Sequence, residues 1–383
     1  MKIAMIGHKR IPSREGGVEI VVEELASRLV LMGHSVSTYN RFGKNVADEN
    51  ADKEAQKLRE YKGIKLIRVP TPNSKKLNAV VYSFFATLHA ITHNYDVIHY
   101  HAEGPCAMLA LPHFLGIRTI ATIHGLDWQR AKWGGFATRF IKFGEKIAAR
   151  YADEVIVLSR NVQQYFLDEY GRTAVYIPNG VNRVEFKEPN IIKEKYGLEK
   201  EKYILFLARL VPEKGIHYLL EAFSKLDTDM KLVIAGGASH SGEYVQKIQA
   251  MAAKDERVIM TGFVQGDELV ELFSNTYMYV LPSDVEGMPI SLLEAMSYGR
   301  RCLASNIPEN NEATREYAMY FEKSNVDDLK DKLEIAINNP DKFKSQEEIM
   351  DYCYKRFDWN KVTGESLRLY IDTILNVERI KRV

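Results

Sequence analysis

Two cations and two carboxylates define the chemistry this chain can do. Arg209 and Lys214 fall in Phe206-Leu-Ala-Arg-Leu-Val-Pro-Glu-Lys-Gly215, between an apolar run and an expected helix, and Glu286 and Glu294 stand in a Glu-x7-Glu arrangement. Two cations converging after a strand suit a diphosphate. At contact each is worth at most roughly 4 kcal/mol before desolvation, enough to matter to a leaving group that gathers charge. Between the carboxylates run Gly287, Met288, Pro289, Ile290 and Ser291, and Pro289 suits the first turn of a helix reaching Tyr298, with Gly299 as its C-cap. Unpaired amides and the helix dipole at such a start attract an anion. The flanking carboxylates suit sugar hydroxyls beside it. A solvated, inert pair is the plain alternative for Arg209 and Lys214 taken alone; the helix start at Pro289 weighs against it.

These groups need a scaffold that brings loops together. The run Tyr277 to Leu281 reads as a buried parallel strand, and similar runs lie at Tyr203 to Ala208, Lys231 to Ala235, Val258 to Met260 and Cys302 to Ala304. The first half shows the same scheme, with strands at Lys2 to Ile6, Ser35 to Tyr39, Ile64 to Val69, Val97 to Tyr100, Thr119 to Ile123, Glu154 to Leu158 and Ala174 to Ile177. Helices at Glu19 to Met32, Leu77 to Thr92, Gly104 to Leu115 and Phe136 to Tyr151 separate them. The alternation predicts an α/β protein of two Rossmann-like, doubly wound parallel-sheet domains, residues 1–182 and 183–360. Pro178-Asn179-Gly180 opens the linker, and a closing helix, about 361–383, is expected to pack back on the first domain.

Further strand ends carry candidate residues. Gly16 and Gly17 follow the first strand without forming G-x-G-x-x-G, which argues against a dinucleotide site; they permit close backbone approach to a ligand or make a tight turn. His124, after the strand Thr119 to Ile123, can hydrogen-bond a substrate or shuttle a proton, and Asp127 follows it. Trp128, Arg130, Lys132, Trp133, Phe136, Arg139, Phe140, Lys142, Phe143, Lys146 and Arg150 interleave cations with aromatics, opposed only by Glu145. That pattern fits an anionic bilayer surface, or a core-facing helix with solvated lysines. Gly236-Gly237 and Gly262-Phe263-Val264 end two more strands of the second half, where a flat base could lie on the backbone or a plain turn could form.

Bulk properties exclude much else. With 383 residues, 46% hydrophobic and 27% charged, the chain is an ordinary globular protein, neither disordered nor fibrous. Three cysteines without C-x-x-C spacing indicate neither a disulfide framework nor a zinc site. The longest apolar stretch, around Ala79 to Ile91, is too short to span a bilayer, and a cytoplasmic location is expected. The net charge of +1 hides an asymmetry: roughly +7 over residues 1–185 and roughly −6 over the rest. No recognition-helix or RNP-like pattern accompanies the basic half, so nucleic acid is not expected.

Arg209 with Lys214, and Glu286 with Glu294, resemble the signature of retaining nucleotide-sugar glycosyltransferases of family 4, which have the GT-B fold of two such domains facing a central cleft. Gly16-Gly17, His124-Gly125, Ile177-Pro-Asn-Gly-Val181 and the closing Phe357-Asp-Trp359 helix extend the resemblance over nearly the whole chain. It implies that Arg209 and Lys214 bind the donor diphosphate, Glu294 the ribose and Glu286 the transferred sugar, with amides around Met288 to Ser291 completing the cradle; Val264, at the strand end where a flat base could lie, is counted with the donor-binding residues from its position alone. It places His124 near the donor sugar and acceptor and Gly16-Gly17 near the diphosphate and acceptor, and implies no metal or other cofactor. The opening Ile11-Pro-Ser-Arg-Glu-Gly-Gly-Val-Glu19 also resembles a bacterial surface-polysaccharide subgroup that includes rhamnosyltransferases. The implied partners are a nucleotide-sugar donor and a lipid-linked or oligosaccharide acceptor, with Asp127, Arg130, Lys132, Trp133, Arg139 and Lys142 towards the acceptor and an anionic membrane. Met288 stands where a Phe is frequent in the family. Left open are another GT-B enzyme on nucleotide sugars, an epimerase or a phosphorylase, and a non-catalytic nucleotide-sugar-binding protein.

Overall fold

Apolar runs of four to six residues become central parallel strands, because strands buried on both faces need no polar alternation. The computed structural model describes residues 1–43, 57–72, 77–129, 135–237 and 242–381. The chain divides into two units: Met1–Asn179 with Trp359–Val383, and Gly180–Asp358.

Unit 1 runs β1 (Lys2–Ile6), α1 (Gly17–Leu31), β2 (Ser35–Phe42), β3 (Glu60–Tyr61), β4 (Ile64–Pro70), α2 (Asn78–Ile91) and β5 (Val97–His101). It continues with α3 (Glu103–Cys106), α4 (Ala110–Phe114), β6 (Arg118–Ile123), α5 (Phe136–Tyr151), β7 (Glu154–Val157), α6 (Arg160–Tyr170) and β8 (Val175–Tyr176). The eight strands lie in the order β3-β4-β2-β1-β5-β6-β7-β8, parallel except for the short β3–β4 pair. Helix formation over 104–115 breaks into α3 and α4. Pro112 has no N–H to continue an α-helical ladder, and the residues between tighten into i→i−3 bonds, Met108 N to Pro105 O at 3.1 Å and Leu109 N to Cys106 O at 3.0 Å.

Unit 2 runs α7 (Ile191–Tyr196), β9 (Tyr203–Leu207), α8 (Ile216–Ser224), β10 (Lys231–Ala235), α9 (Gly242–Ala252), β11 (Val258–Gly262) and α10 (Gly266–Asn275). Then come β12 (Met278–Leu281), α11 (Ile290–Ser297), β13 (Arg301–Ser305), α12 (Pro308–Thr314), β14 (Met319–Phe321), α13 (Val326–Asn338) and α14 (Gln346–Phe357). All six strands are parallel, in the order β11-β10-β9-β12-β13-β14. Where the chain enters and leaves this unit its segments are tied to each other: Val181 bridges Asp358, and Val181 N donates to Phe357 O at 2.6 Å.

The last helix, α15 (Trp359–Lys381), belongs to unit 1, where it packs on α1. The Arg28 guanidinium lies 5.9 Å from the centre of the Trp359 ring, and buried Tyr370 reaches the sheet. Each unit has its own core, one around Ile6, Tyr39, Tyr82, Tyr100 and Phe166, the other around Phe206, Ile216, Phe223, Val280 and Leu333.

The strand orders fix where ligands can sit. In unit 1 the chain works outward from β1 through β2 to β4 and then returns to β5 on the other side; in unit 2 it does the same from β9 and returns at β12. Ligands of open α/β sheets bind outside the carboxyl ends at such reversals. At each, the loop after the first strand presses on the neighbouring strand's end. A Cβ on Gly7 would lie 2.0 Å from His101 O, and one on Gly215 would lie 1.9 Å from Pro282 O, with φ of +136° and +67°. Only glycine fits either place.

Candidate active site

The reversal of unit 2 joins the predicted cation to the predicted carboxylate. Lys214 follows β9 in a short 3-10 turn, Pro212–Lys214, closed by Gly215. Glu286 lies in the loop after β12, which is stitched to that turn by Asp284 N donating to Glu213 O at 2.9 Å. Lys214 Nζ donates to Glu286 Oε1 at 2.5 Å, with the Glu286 side chain 7% and the Lys214 side chain 17% exposed. Arg209 lies half-buried in the same loop, and its guanidinium has no hydrogen-bond or ion-pair partner among the described residues. Beside it, both carboxylate oxygens of buried Glu213 and the Ser283 hydroxyl lack a hydrogen-bond partner among the described residues.

Helix α11 starts at Ile290, with Pro289 as its extended cap rather than inside the first turn. Helical bonding begins with Leu293 N to Pro289 O at 3.1 Å, so the amides of Ile290, Ser291 and Leu292 precede the ladder. Gly287, Met288 and Pro289 are buried, and Ser291 and Glu294 half-buried. Tyr279, in β12, is indistinguishable in sequence from the apolar run around it. Its hydroxyl shares a hydrogen bond with Ser291 Oγ at 2.7 Å, and burial holds its phenol well above the usual range, so it stays protonated beneath the helix start. Both Glu286 and Glu294 act electrostatically on this phenol, which places the two carboxylates around one helix start. Val264, buried, follows β11 on the far side of β10 and β9 from that helix.

The reversal of unit 1 is built from histidines. His8 follows β1, His99 and His101 lie in β5, and His124 follows β6; none is more than 8% exposed. His101 Nδ1 lies 3.1 Å from His124 Nε2. The His99 ring is 4.1 Å from that of His101 and is held by Tyr370 Oη at 2.6 Å and Thr122 Oγ1 at 2.7 Å. Burial lowers the His8 pKa to about 4 and the His99 pKa to about 3, and puts His101 well below its usual value, so all three are neutral near pH 7. Spacing along the sequence gave no sign of this row, because its members sit on different strands.

Helix α1 starts at Gly17, with Gly16 as an extended N-cap. The carboxylate of Glu19 already lies there. Burial opposes its charge, but hydrogen bonds from Lys9 N at 2.8 Å and from its own amide, with the Lys9 charge, hold it below the usual range.

The aromatic and basic stretch divides by face. On α5, Phe136, Arg139, Lys142, Phe143, Lys146 and Arg150 are exposed, while Ile141, Gly144, Glu145, Ala148 and Ala149 are buried. Trp128 belongs to neither a bilayer face nor the solvent: it packs on the core and donates from Nε1 to Glu145 Oε2 at 3.1 Å. Glu145 also accepts from Tyr165 at 2.8 Å and Tyr170 at 2.6 Å, so it turns inward and leaves the outer face of α5 without an acidic residue. Asp127 is half-buried, and its amide donates to Glu103 Oε1 at 2.9 Å. Burial and then the Asp127 charge push the Glu103 carboxyl well above the usual range. Arg130, Lys132 and Trp133 lie outside the described residues. Among the described residues no helix is long and apolar enough to cross a membrane.

Comparison with known proteins identifies the two units. Residues 15–185 match the model of Glycosyltransferase Family 4, and residues 188–356 that of glycosyl transferases group 1. An uncharacterized glycosyltransferase of Methanocaldococcus jannaschii is 25% identical over 367 residues, covering 93% of this chain and 94% of the relative. The GDP-mannose-dependent alpha-(1-6)-phosphatidylinositol monomannoside mannosyltransferase of Mycolicibacterium smegmatis is 28% identical over 311 residues, covering 75% of this chain and 76% of its own. Among solved structures, sucrose-phosphate synthase from Thermosynechococcus elongatus shares the fold with a TM-score of 0.82 at 20% identity, over 98% of this chain and 99% of that one. The chain therefore joins a Glycosyltransferase Family 4 domain to a glycosyl transferases group 1 domain, the two halves of a glycosyltransferase with the GT-B fold.

Proposed function

We propose that this protein is a retaining, metal-independent glycosyltransferase that moves a hexosyl or deoxyhexosyl unit from a nucleoside-diphosphate sugar to a lipid-linked saccharide in bacterial surface-polysaccharide synthesis. The observation that carries the donor side is the Lys214–Glu286 pair at the carboxyl ends of β9 and β12, beside the start of α11. Lys214, Arg209 and the first amides of α11 offer positive charge and donors to a diphosphate, and Glu286 and Glu294 offer acceptors to sugar and ribose hydroxyls. As the glycosidic bond to the diphosphate breaks, the cations and amides take up the charge on the leaving oxygen. That oxygen then accepts the proton of the attacking hydroxyl, so the new bond forms on the face the diphosphate leaves.

The lipid-linked acceptor and a peripheral site at the inner face of the plasma membrane draw support from two sources. The mycolicibacterial relative is named for a phosphatidylinositol monomannoside. The outer face of α5 combines Phe136 and Phe143 with Arg139, Lys142, Lys146 and Arg150, a composition that suits an anionic bilayer surface. A rhamnosyl unit draws its support from the opening stretch Ile11 to Glu19 alone.

The test is release of nucleoside diphosphate from a panel of UDP-, GDP- and dTDP-sugars, with and without lipid-linked saccharide. Release that depends on acceptor and persists in chelator supports the reading. Binding without release makes the protein a nucleotide-sugar sensor, and phosphate-dependent release makes it a phosphorylase.

A further inference from the structure

We propose that Tyr279 is a positioning residue of the donor site: its buried phenol clasps the end of β9 to the first turn of α11 and so fixes the spacing between the cationic loop and the helix start. This rests on the transferase reading and adds to it a residue that touches no substrate. Tyr279 lies in β12 and is fully buried, and its hydroxyl meets two groups, Leu207 O at 3.1 Å and Ser291 Oγ at 2.7 Å. Leu207 is the last residue of β9, two before Arg209, and Ser291 is the second residue of α11. One side chain thereby joins the two segments that carry the groups offered to a diphosphate.

The direction of both bonds follows from a proton count. A phenol has one proton and a carbonyl oxygen has none to give. Both contacts are satisfied only when Tyr279 Oη–H donates to Leu207 O and the phenol oxygen accepts from Ser291 Oγ–H. The bond to Leu207 has a reason in the sheet. The pairing of β9 with β12 ends at Leu205 and Tyr279, and Leu207 lies two residues further on, so its carbonyl takes a side-chain donor beyond the last pair. The Ser291 hydroxyl has no other hydrogen-bond partner among the described residues, and with its proton given to the phenol it has none left for an anion. What α11 offers a diphosphate at this residue is the main-chain amide, which precedes the helical ladder.

The consequence is geometric. The same two segments are also joined by Asp284 N donating to Glu213 O at 2.9 Å and by the Lys214–Glu286 pair. A diphosphate that draws Lys214 from Glu286 breaks the second of these ties, and the clasp then carries more of the alignment. Without the phenolic oxygen the start of α11 is free to shift against Arg209 and Lys214. A ligand that bridges the cations and the helix start loses affinity by that shift, and one that does not bridge them keeps it.

Titration calorimetry on the full chain tests this with UDP, GDP and dTDP, each compared with its nucleoside monophosphate, which lacks the second phosphate. Tyr279→Phe keeps the ring and removes the oxygen alone. It should lower the ratio of diphosphate to monophosphate affinity about ten-fold, the effect of about one hydrogen bond, and Ser291→Ala should do the same. The double substitution should fall no more than about two-fold below either single one, because each breaks the same link. An unchanged ratio in Tyr279→Phe overturns the proposal, and so does an equal loss for diphosphate and monophosphate, which marks a general structural defect. Additive losses in the double substitution also overturn it, since Ser291 would then act on the ligand independently of the phenol. Should Tyr279→Phe not fold, Ser291→Ala breaks the clasp from its half-buried end and carries the same expectation. No diphosphate binding to the wild type overturns the donor reading and this proposal with it, whereas wild-type binding that Tyr279→Phe leaves unchanged overturns this proposal alone.

Discussion

The two units repeat one layout and fill it with opposite chemistry. Each reverses its strand order beside its first strand, and each closes the first loop against the neighbouring strand through a glycine, Gly7 or Gly215. At the reversal of unit 2 stand formal charges, Lys214 paired with Glu286 and Arg209 nearby. At that of unit 1 stand neutral rings, His8, His99 and His101, buried and kept uncharged. Charges suit a ligand that brings charge and develops more of it; neutral donors and acceptors suit a ligand made of hydroxyls. A fold fixes where a ligand sits, and the side chains at that edge decide what it is.

The sharpest way to break this contrast is to remove the charge in unit 2. Lys214→Ala should lower turnover by on the order of 100- to 1000-fold, the size of effect seen when one group stabilising a developing anion is deleted. Near-normal diphosphate release would take Lys214 out of the site. Glu286→Gln should cost about 100-fold in turnover but act oppositely on product binding. In the free protein Lys214 is engaged by Glu286 at 2.5 Å, so neutralising the carboxylate leaves the ammonium more available to a diphosphate. Calorimetry should find nucleoside diphosphate bound more tightly by Glu286→Gln than by wild type. Weaker binding would mean the carboxylate positions the lysine instead of competing with the ligand for it.

What was legible in the sequence follows the same division. Unit 2's site is local: Arg209 and Lys214 share one loop, Glu286 to Glu294 another, and charged residues beside glycines and prolines stand out in an apolar background. Unit 1's site is assembled across strands far apart in sequence, from His8 to His124, so no spacing marks it, and His99 and His101 pass as members of the run Val97-Ile-His-Tyr-His101. Tyr279 was hidden likewise, inside β12. The strands β3 and β14, two and three residues long, are too short to show a period. Trp128 looked like a membrane anchor until the buried Glu145 gave its indole a partner.

The histidine row also predicts how the units differ with pH. A histidine held neutral binds no proton in the folded state where the unfolded chain does. The unfolded state therefore gains protons as pH falls through about 6.5, and the stability of unit 1 should drop from there towards about 4, where His8 begins to titrate in the fold. Each such group contributes a slope of at most about 1.4 kcal/mol per pH unit. In unit 2 the described histidine is the half-buried His217, lowered by burial and Lys247, one such group against three in the row. Hydrogen exchange at pH 7 and pH 5 should show protection lost in β1, β5 and β6 before β9 and β12. Equal loss in both units would mean that the histidines are reached by water and charge freely.

The smallest effect tests the outer face of unit 1, where a row of basic residues stands apart from the histidines. Arg139, Lys142, Lys146 and Arg150 share the exposed side of α5 with Phe136 and Phe143, and Glu145, the helix's acidic residue, is committed to Trp128, Tyr165 and Tyr170 inside. A basic residue near an anionic bilayer is worth about 1 kcal/mol, so Lys146→Ala should weaken binding to phosphatidylglycerol-containing vesicles about five-fold, with no change on neutral vesicles. Lys146 is the suitable position because Lys142 lies 4.1 Å over the Trp128 ring, where its loss would disturb packing as well as charge. Phe143→Ser, which removes apolar area without charge, should weaken binding to both kinds of vesicle. If neither substitution alters vesicle binding while donor turnover is intact, the face is ordinary solvated surface and the acceptor must reach unit 1 without help from α5.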